Sequence, residues 1–152
     1  MPISFADLEA HYPAQQQPCS TNGAANFDDQ CAIRMGVCLS DAGLELRGFR
    51  GARCWHGHAG RHLLRAQELA SWLRLPLQTR QFSDARLSRA RRTRIAISSA
   101  DYAGRSGIVF FQNFWGRGNQ GDHIDLWDGS DVRTGATDYF SRAEEVWFWG
   151  IG

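Results

Sequence analysis

The sequence has no lysine, and its 17 arginines against 16 acidic residues leave a formal net charge of only +1. Without an excess of one sign of charge, we expect no nucleic-acid partner and no binding to anionic membranes. The sequence also has no apolar run long enough to cross a bilayer, and its first residues, MPISFADLEAHYP, lack a basic stretch followed by an apolar one. These two absences predict no membrane insertion and no conventional secretory signal.

Cysteine is scarce as well, because the four cysteines form no CxxC pair and are too few for a disulfide-stabilised scaffold. They leave the redox compartment open, and with it the question of whether Cys19 and Cys54 form a disulfide. What is present is enough apolar sequence for a core: a chain of 152 residues that is 43% hydrophobic predicts a single domain over residues 1–152.

Helical patterns fill the first part of the chain. Less polar residues recur at helical spacing from Cys31 to Ala42, and Gly43 supplies a C-terminal stop. Three further helices are predicted over residues 3–11, 63–75 and 83–92, the last with Ser83 as its N-cap. After Arg94 the pattern changes to short strands separated by glycine-containing turns, with the candidates RIAIS, GIVFFQNF, DHIDLW and EVWFWGI. Helices first and strands after indicate an α+β fold, with helices packed on one side of an antiparallel sheet.

Cys31 is placed where a cysteine becomes reactive. In FDDQCAIRMGVCLSDAG it falls in the first turn of the predicted helix, whereas Cys38 lies two turns further along. The unpaired N–H groups and the dipole at a helix N-terminus stabilise a thiolate, and the same N–H groups can stabilise the oxyanion of a tetrahedral intermediate. The position therefore indicates a nucleophile, against the competing interpretation that Cys31 is a small buried hydrophobe.

A cysteine nucleophile needs a base, and His123 is the candidate that lies on a strand. It begins the predicted strand HIDLW after the glycine-containing loop GRGNQGD, and a strand holds a base rigidly. The remaining histidines lie at the end of the first helix or in the glycine-rich loop: His11, His56, His58 and His62. We therefore predict His123 as the general base.

Two motifs resemble those of the type VI secretion amidase effectors of family 4. DQCAIRMGVCLSDAG resembles the family's nucleophile motif, in which a Cys followed by xIRMS and a Leu opens a helix. GDHIDLWDGS resembles the family's base motif, with Asp122 where the family often has Gly. RHLLRAQELASWL is similar to the family's arginine-containing middle helix, so the matches span most of the chain in the family's order.

The resemblance implies a papain-like fold related to the NlpC/P60 cysteine peptidases, with the nucleophile helix packed on an antiparallel sheet. It implies hydrolysis of the amide between D-glutamate and meso-diaminopimelate in peptidoglycan stem peptides, by Cys31 as nucleophile and His123 as base, without metal or cofactor. It further implies synthesis in the cytoplasm, injection into the periplasm of a target bacterium by the secretion apparatus, and a cognate immunity protein.

The acid that orients His123 is harder to predict. If Asp128-Gly129 formed a two-residue turn, His123 would face Thr134 across a hairpin, and Asp131 would point to the opposite face. Asp125 lies two residues from His123 and shares its face of the strand. We therefore predict Asp125 as the orienting acid, with Thr134 and Asp131 as the alternatives; the competing interpretation of Asp125 is a solvated acid.

Substrate binding is expected to need a cation beside the nucleophile. A γ-linked amide leaves the free α-carboxylate of D-glutamate close to the scissile carbonyl, and an arginine can bind it through two hydrogen bonds. Arg34, Arg61 and Arg117 are the candidates, and Trp115 is expected to stack on a sugar or on the stem peptide. For Arg34 the competing interpretation is an ordinary surface salt bridge.

A second interpretation makes the chain a non-enzymatic metal-binding or interaction module centred on the Gly/His loop 54–62. Cys54, His56, His58 and His62 in CWHGHAGRH are of the types that zinc accepts, although their spacing differs from the common zinc motifs. In the enzyme interpretation, the same loop forms a wall of the substrate groove and holds no metal.

Overall fold

In the computed structural model, which describes residues 2–16, 18–21, 24–25, 30–54, 62–113 and 121–152, helices pack on an antiparallel sheet. The helices are α1 (Phe5–His11), α2 (Cys31–Asp41), α3 (Ala66–Leu73), α4 (Pro76–Thr79) and α5 (Tyr139–Arg142), with a 3₁₀ turn at Ser99–Tyr102. The strands are β1 (Ser20–Thr21), β2 (Ala24–Ala25), β3 (Arg86–Arg91), β4 (Gly107–Gln112), β5 (His123–Trp127) and β6 (Glu145–Gly150). This arrangement confirms the predicted α+β fold.

The main sheet has the strand order β3-β6-β4-β5, and all its neighbours are antiparallel. Because side chains alternate along a strand, Ile108 and Phe110 of β4 pack with the layer formed by α1, α2 and α3. Val109 and Phe111 pack on the opposite face, in a second cluster that includes Phe140 of α5. Both faces of the sheet are therefore covered, so the prediction of helices on one side only is wrong. Because they are buried on both faces, β4 and β6 are apolar at nearly every position.

Helix α2 is the central helix of the layer. Met35, Cys38 and Leu39 on its inner face are fully buried, and the thiol of Cys38 donates to the carbonyl O of Leu8 at 3.1 Å. The chain leaves the helix through Gly43, whose φ of +109° favours glycine, as the sequence predicts. Because α2 packs against α1 and β5, its first residue lies close to the first residue of β5.

The helix predicted over residues 83–92 is wrong, because this segment contains the edge strand β3. The arginines favour a strand over a helix because they bind partners on β6. Arg89 and Arg91 form ion pairs with Glu145 at 3.2 and 2.9 Å, and the guanidinium of Arg89 lies 4.6 Å from the ring centroid of Trp147. These contacts between neighbouring strands favour the extended conformation, and the local helical spacing of apolar residues does not reveal them.

Two other predicted elements differ from the structure. Residues 94–98 form no strand: Ile95 is 82% exposed, and only Ile97 of the two isoleucines is buried. The helix predicted over 63–75 is shorter, since α3 ends at Leu73 and a separate turn, α4, begins at Pro76. Among the described residues, no helix is long and apolar enough to cross a membrane.

Gly107 provides a test of the sheet register. A Cβ at this position would overlap the carbonyl O of Trp149, because β4 and β6 approach each other closely there. We expect Gly107→Ala to lower the free energy of unfolding by about 2 kcal/mol or more in urea titrations, since neither backbone can move freely. Gly48→Ala is the matched control, because no atom lies within 4 Å of its Cβ position. Equal stability of the two variants would contradict the register.

Candidate active site

The N-terminal end of α2 is held by a buried amide. Gln30 is the N-cap residue and is 2% exposed. Its side-chain Nε2 donates to the carbonyl O of Cys19 at 2.9 Å, and its Oε1 accepts from the N–H of Cys19 at 3.2 Å. This reciprocal pair fixes the residue that directly precedes Cys31.

Cys31 is the first residue of α2, as predicted, and is buried, with 3% of its surface exposed. As the first residue of the helix, Cys31 belongs to the turn whose backbone N–H groups have no acceptor within the helix. Its Sγ lies 4.0 Å from the carbonyl O of Asp122, the residue before His123. The structure therefore brings the two motifs of the sequence together.

His123 begins β5 and is held on three sides. Its Nε2 lies 2.8 Å from Oδ2 of Asp125, which leaves Nδ1 as the ring nitrogen that does not face this carboxylate. The ring stacks on Phe111 with 6.2 Å between centroids, and Tyr139 packs edge-on at 5.3 Å. The imidazole therefore has a defined orientation before any substrate binds.

Asp125 is fully buried and accepts hydrogen bonds at both oxygens. Oδ1 accepts from the backbone N–H groups of Leu126 at 2.8 Å and Arg133 at 3.1 Å. Besides His123, Oδ2 accepts from the N–H groups of Thr134 and Gly135, both at 2.9 Å, and from the Thr134 hydroxyl at 3.2 Å.

The balance of these effects keeps Asp125 ionised. Burial alone would raise its pKa, but the hydrogen bond and charge of His123, together with the N–H groups of Thr134 and Gly135, hold the pKa below its usual value. An ionised Asp125 favours the tautomer of His123 that carries its proton on Nε2, the nitrogen that faces the carboxylate.

The two-residue hairpin turn predicted after β5 is wrong, and a four-residue loop over residues 128–131 replaces it. Asp128 accepts from the N–H groups of Ser130 and Asp131, and Trp127 pairs with Val132 in place of the expected Ser130. Thr134 therefore does not face His123 across a ladder. Residues 133–135 instead turn toward β5, and their three N–H groups bind the Asp125 carboxylate.

The family model of type VI secretion system amidase effector protein 4, Tae4, matches residues 27–149, a range that contains these site residues. The chain belongs to the Tae4 family. This confirms the family predicted from the two motifs.

Solved Tae4 structures have a similar fold. The Tae4–Tai4 effector–immunity complex from Salmonella Typhimurium gives a TM-score of 0.65 at 18% identity, covering 97% of this chain and 94% of that chain. Tae4 from Enterobacter cloacae gives 0.63 at 17% identity, covering 100% and 98%. No curated protein matches the chain.

Two residues beside this candidate site have no signal in the sequence. Tyr12 follows α1, and its hydroxyl lies 3.2 Å from Oγ1 of Thr134, which donates to Asp125. Burial and the charge of Asp125 raise the pKa of Tyr12 above its usual range, so this hydroxyl stays protonated. Gly135 is required by packing, because a Cβ there would lie 2.7 Å from Nε2 of His123. Neither a tyrosine after a helix nor a glycine in a loop is distinctive enough to be selected from sequence.

The predicted substrate residues fall into two groups. Arg34 is half-buried on α2, and its Nε donates to the carbonyl O of Gln16 at 2.8 Å. Its positive charge partly offsets the rise in the pKa of Tyr12. Arg61, Trp115 and Arg117 lie outside the described residues.

The loop predicted as an alternative metal site is described only at its ends. His56 and His58 lie outside the described residues, whereas Cys54 and His62 lie beside Cys19. Among the described residues, these three side chains form the group of possible metal ligands in which all donor atoms lie within 4.8 Å of one another. Its donors are of the types that zinc accepts, and the trio includes none of the predicted catalytic residues.

The loop that holds Asp125 depends on Asp128, whose side chain is 28% exposed and accepts from Ser130, Asp131 and Arg133. Although burial opposes ionisation, these hydrogen bonds lower the pKa of Asp128 to about 2. The carboxylate therefore stabilises the fold above pH 4, and this contribution disappears as the pH falls from about 4 to 2.

We expect Asp128→Asn to reduce the free energy of unfolding by up to about 2 kcal/mol at pH 6, with the deficit shrinking toward pH 2. Denaturant unfolding at a series of pH values measures this difference. Asp138→Asn is the control, because its 61% exposed side chain forms an ion pair of little expected value. A deficit that stays constant with pH would contradict the role of the Asp128 charge.

Proposed function

We propose that this chain is a cysteine amidase that cleaves the bond between D-glutamate and meso-diaminopimelate in peptidoglycan stem peptides. The observation that carries the proposal is the ionised, buried Asp125 bound to His123, next to the helix N-terminus that begins with Cys31. A nucleophile, a base and an orienting acid in this order are the parts that acyl transfer by a thiol requires.

The proposed reaction has two halves. Nδ1 of His123 accepts the thiol proton while Sγ of Cys31 attacks the carbonyl carbon of the amide, and the N–H groups at the start of α2 stabilise the oxyanion. As the intermediate collapses, the C–N bond breaks, the imidazolium protonates the leaving amine of diaminopimelate, and a thioester remains on Cys31. Water then attacks the thioester with His123 as base, which releases the glutamate carboxylate and restores the thiol.

Asp125 acts on this reaction through His123. Its carboxylate fixes the imidazole orientation and stabilises the imidazolium that forms during proton transfer. The Thr134 hydroxyl and the neutral Tyr12 hydroxyl extend the same hydrogen-bond chain, so Tyr12 is a positioning residue in this proposal.

The substrate site is proposed on the side of α2 that carries Arg34. The hydrogen bond to Gln16 uses Nε, so the two terminal nitrogens of the guanidinium remain for a carboxylate such as the α-carboxylate of D-glutamate. Arg61, Trp115 and Arg117 remain further substrate-binding candidates on sequence grounds. The papain-like, NlpC/P60-related architecture is likewise proposed from the motif resemblance.

The proposed setting follows from the family. The solved relatives from Salmonella Typhimurium and Enterobacter cloacae include effector–immunity complexes with Tai4, which supports a cognate immunity protein for this chain. An effector acting on stem peptides has to reach the periplasm of the target cell, so we place its action there after delivery by the secretion apparatus.

Digestion of Gram-negative peptidoglycan tests the bond. We expect mass spectrometry to show new amino termini on diaminopimelate, and none with Cys31→Ala or Cys31→Ser. Cys38→Ala is the control, because burial raises the pKa of that thiol to about 12 and its Sγ donates to Leu8 inside the core. It should lose about 1–2 kcal/mol of stability and keep its activity.

Other products would contradict the assignment in different ways. Release of whole stems from the sugar would mean that a different amide is cleaved. No product from intact sacculi or soluble tetrapeptides would remove the amidase proposal and favour a binding module. Activity that survives in Cys31→Ala but not in Cys38→Ala would reverse the choice of nucleophile.

The orienting acid is tested by Asp125→Asn. We expect turnover to fall by on the order of 10³-fold with little change in KM, because the amide cannot hold Nε2–H and Nδ1 in the required tautomer. Asp131→Asn is the matched control, since among the described residues its side chain accepts only from the N–H of Val132. Thermal unfolding of both variants separates catalytic from folding effects. A dispensable Asp125 with a critical Asp131 would exclude the proposed pair.

A further inference from the structure

Two cysteines outside the proposed catalytic site, Cys19 and Cys54, face each other. Sγ of Cys19 and Sγ of Cys54 are 3.1 Å apart, and a ring nitrogen of His62 lies within 4.8 Å of both. Cys19 is fully buried, His62 is 7% exposed, and Cys54 is intermediate. The proposed reaction uses none of these three groups.

Backbone hydrogen bonds position both cysteines. The N–H of Cys54 donates to the carbonyl O of His62 at 2.9 Å, and the adjacent residues Arg53 and Leu63 form an antiparallel bridge. On the other side, the backbone of Cys19 is bound by the side chain of Gln30. Hydrogen bonds therefore hold the backbone of both cysteines. The side chain of Gln30 also links Cys19 to the start of α2.

The spacing of the sulfurs favours a covalent bond over a metal. Two thiolates on one tetrahedral zinc ion lie roughly 3.7 Å apart, given a Zn–S bond of about 2.3 Å, and the separation here is shorter.

We propose that Cys19 and Cys54 form a disulfide when the chain enters an oxidising compartment. The biological meaning of this bond rests on the proposed delivery from the cytoplasm to the periplasm, because thiols stay reduced in the first and oxidise in the second. Formation of the bond itself depends only on the geometry of the pair.

The oxidant is a disulfide, either a small molecule or a dithiol oxidoreductase. Cys54 is the more accessible thiol, so its thiolate attacks a sulfur of the oxidant, forms a mixed disulfide and expels one thiolate. The thiolate of Cys19 then attacks the Cys54 sulfur and expels the second thiolate. The two electrons remain on the reduced oxidant, and the two thiol protons pass to its thiolates, with the neighbouring imidazole of His62 as a carrier.

The bond would connect the redox state to the active site. Cys19 and Cys54 are 35 residues apart in sequence, and closing a loop of this size restricts the unfolded chain. It would also anchor the backbone that Gln30 binds, and Gln30 directly precedes Cys31. The oxidised chain should therefore be more stable and hold the start of α2 more firmly.

Peptide mapping of the full chain tests the inference. The purified protein is equilibrated with oxidised glutathione, its remaining thiols are blocked with N-ethylmaleimide in acid denaturant, and non-reducing digests are analysed by mass spectrometry. We expect a Cys19–Cys54 linked peptide and alkylated Cys31 and Cys38. Reduction should lower the melting temperature by roughly 10 °C.

The controls separate this bond from general effects of the reductant. Cys38→Ala should keep the redox-dependent shift in melting temperature, whereas Cys19→Ser/Cys54→Ser should lose it. The comparison of oxidised and reduced wild type remains decisive if the double variant fails to fold. Alkylation of both Cys19 and Cys54 under oxidising conditions, or stoichiometric zinc on the reduced protein without a linked peptide, would overturn the proposal. The mapping does not measure hydrolysis, so its failure is distinct from failure of the amidase proposal.

Discussion

The buried carboxylate of Asp125 is the constraint on which the site depends. A charge removed from water is costly unless hydrogen bonds compensate it, and here donors from the side chain of His123, the backbone of Leu126 and residues 133–135 surround both oxygens. The carboxylate therefore stabilises the fold of the loop after β5. The same donors that stabilise the charge also determine the orientation of the imidazole.

Two independent supports bring the thiol to this carboxylate–imidazole pair. Packing of α2 against α1 and β5 sets the direction of the helix, and the side chain of Gln30, bound to Cys19, sets the place where it begins. The geometry of the site therefore results from core packing and from a few buried polar contacts.

The sequence was most informative where local rules decide the structure. Helical spacing and Gly43 predicted α2, and the two-residue period of a strand put Asp125 on the face of His123. Prediction failed where contacts with residues distant in sequence determine the local structure. Arg89 and Arg91 lie in a strand because Glu145 and Trp147 of β6 bind them. The loop after β5 folds around the carboxylate of Asp125. The rules that predict a two-residue turn at Asp128-Gly129 consider only the turn residues, so they could not predict this fold. Tyr12 joins the site only through the packing of the fold.

The position of β3 has a consequence for the behaviour of the protein at high concentration. An edge strand exposes unpaired backbone groups, and two copies could in principle join through them into a continuous sheet. β3 carries Arg86, Arg89 and Arg91 at this edge, so a second copy pairing antiparallel would bring like charges together. Glu145 neutralises only the inner side of this row, because it lies on β6. The arginines that contradict the helix prediction thus also oppose self-association along this edge.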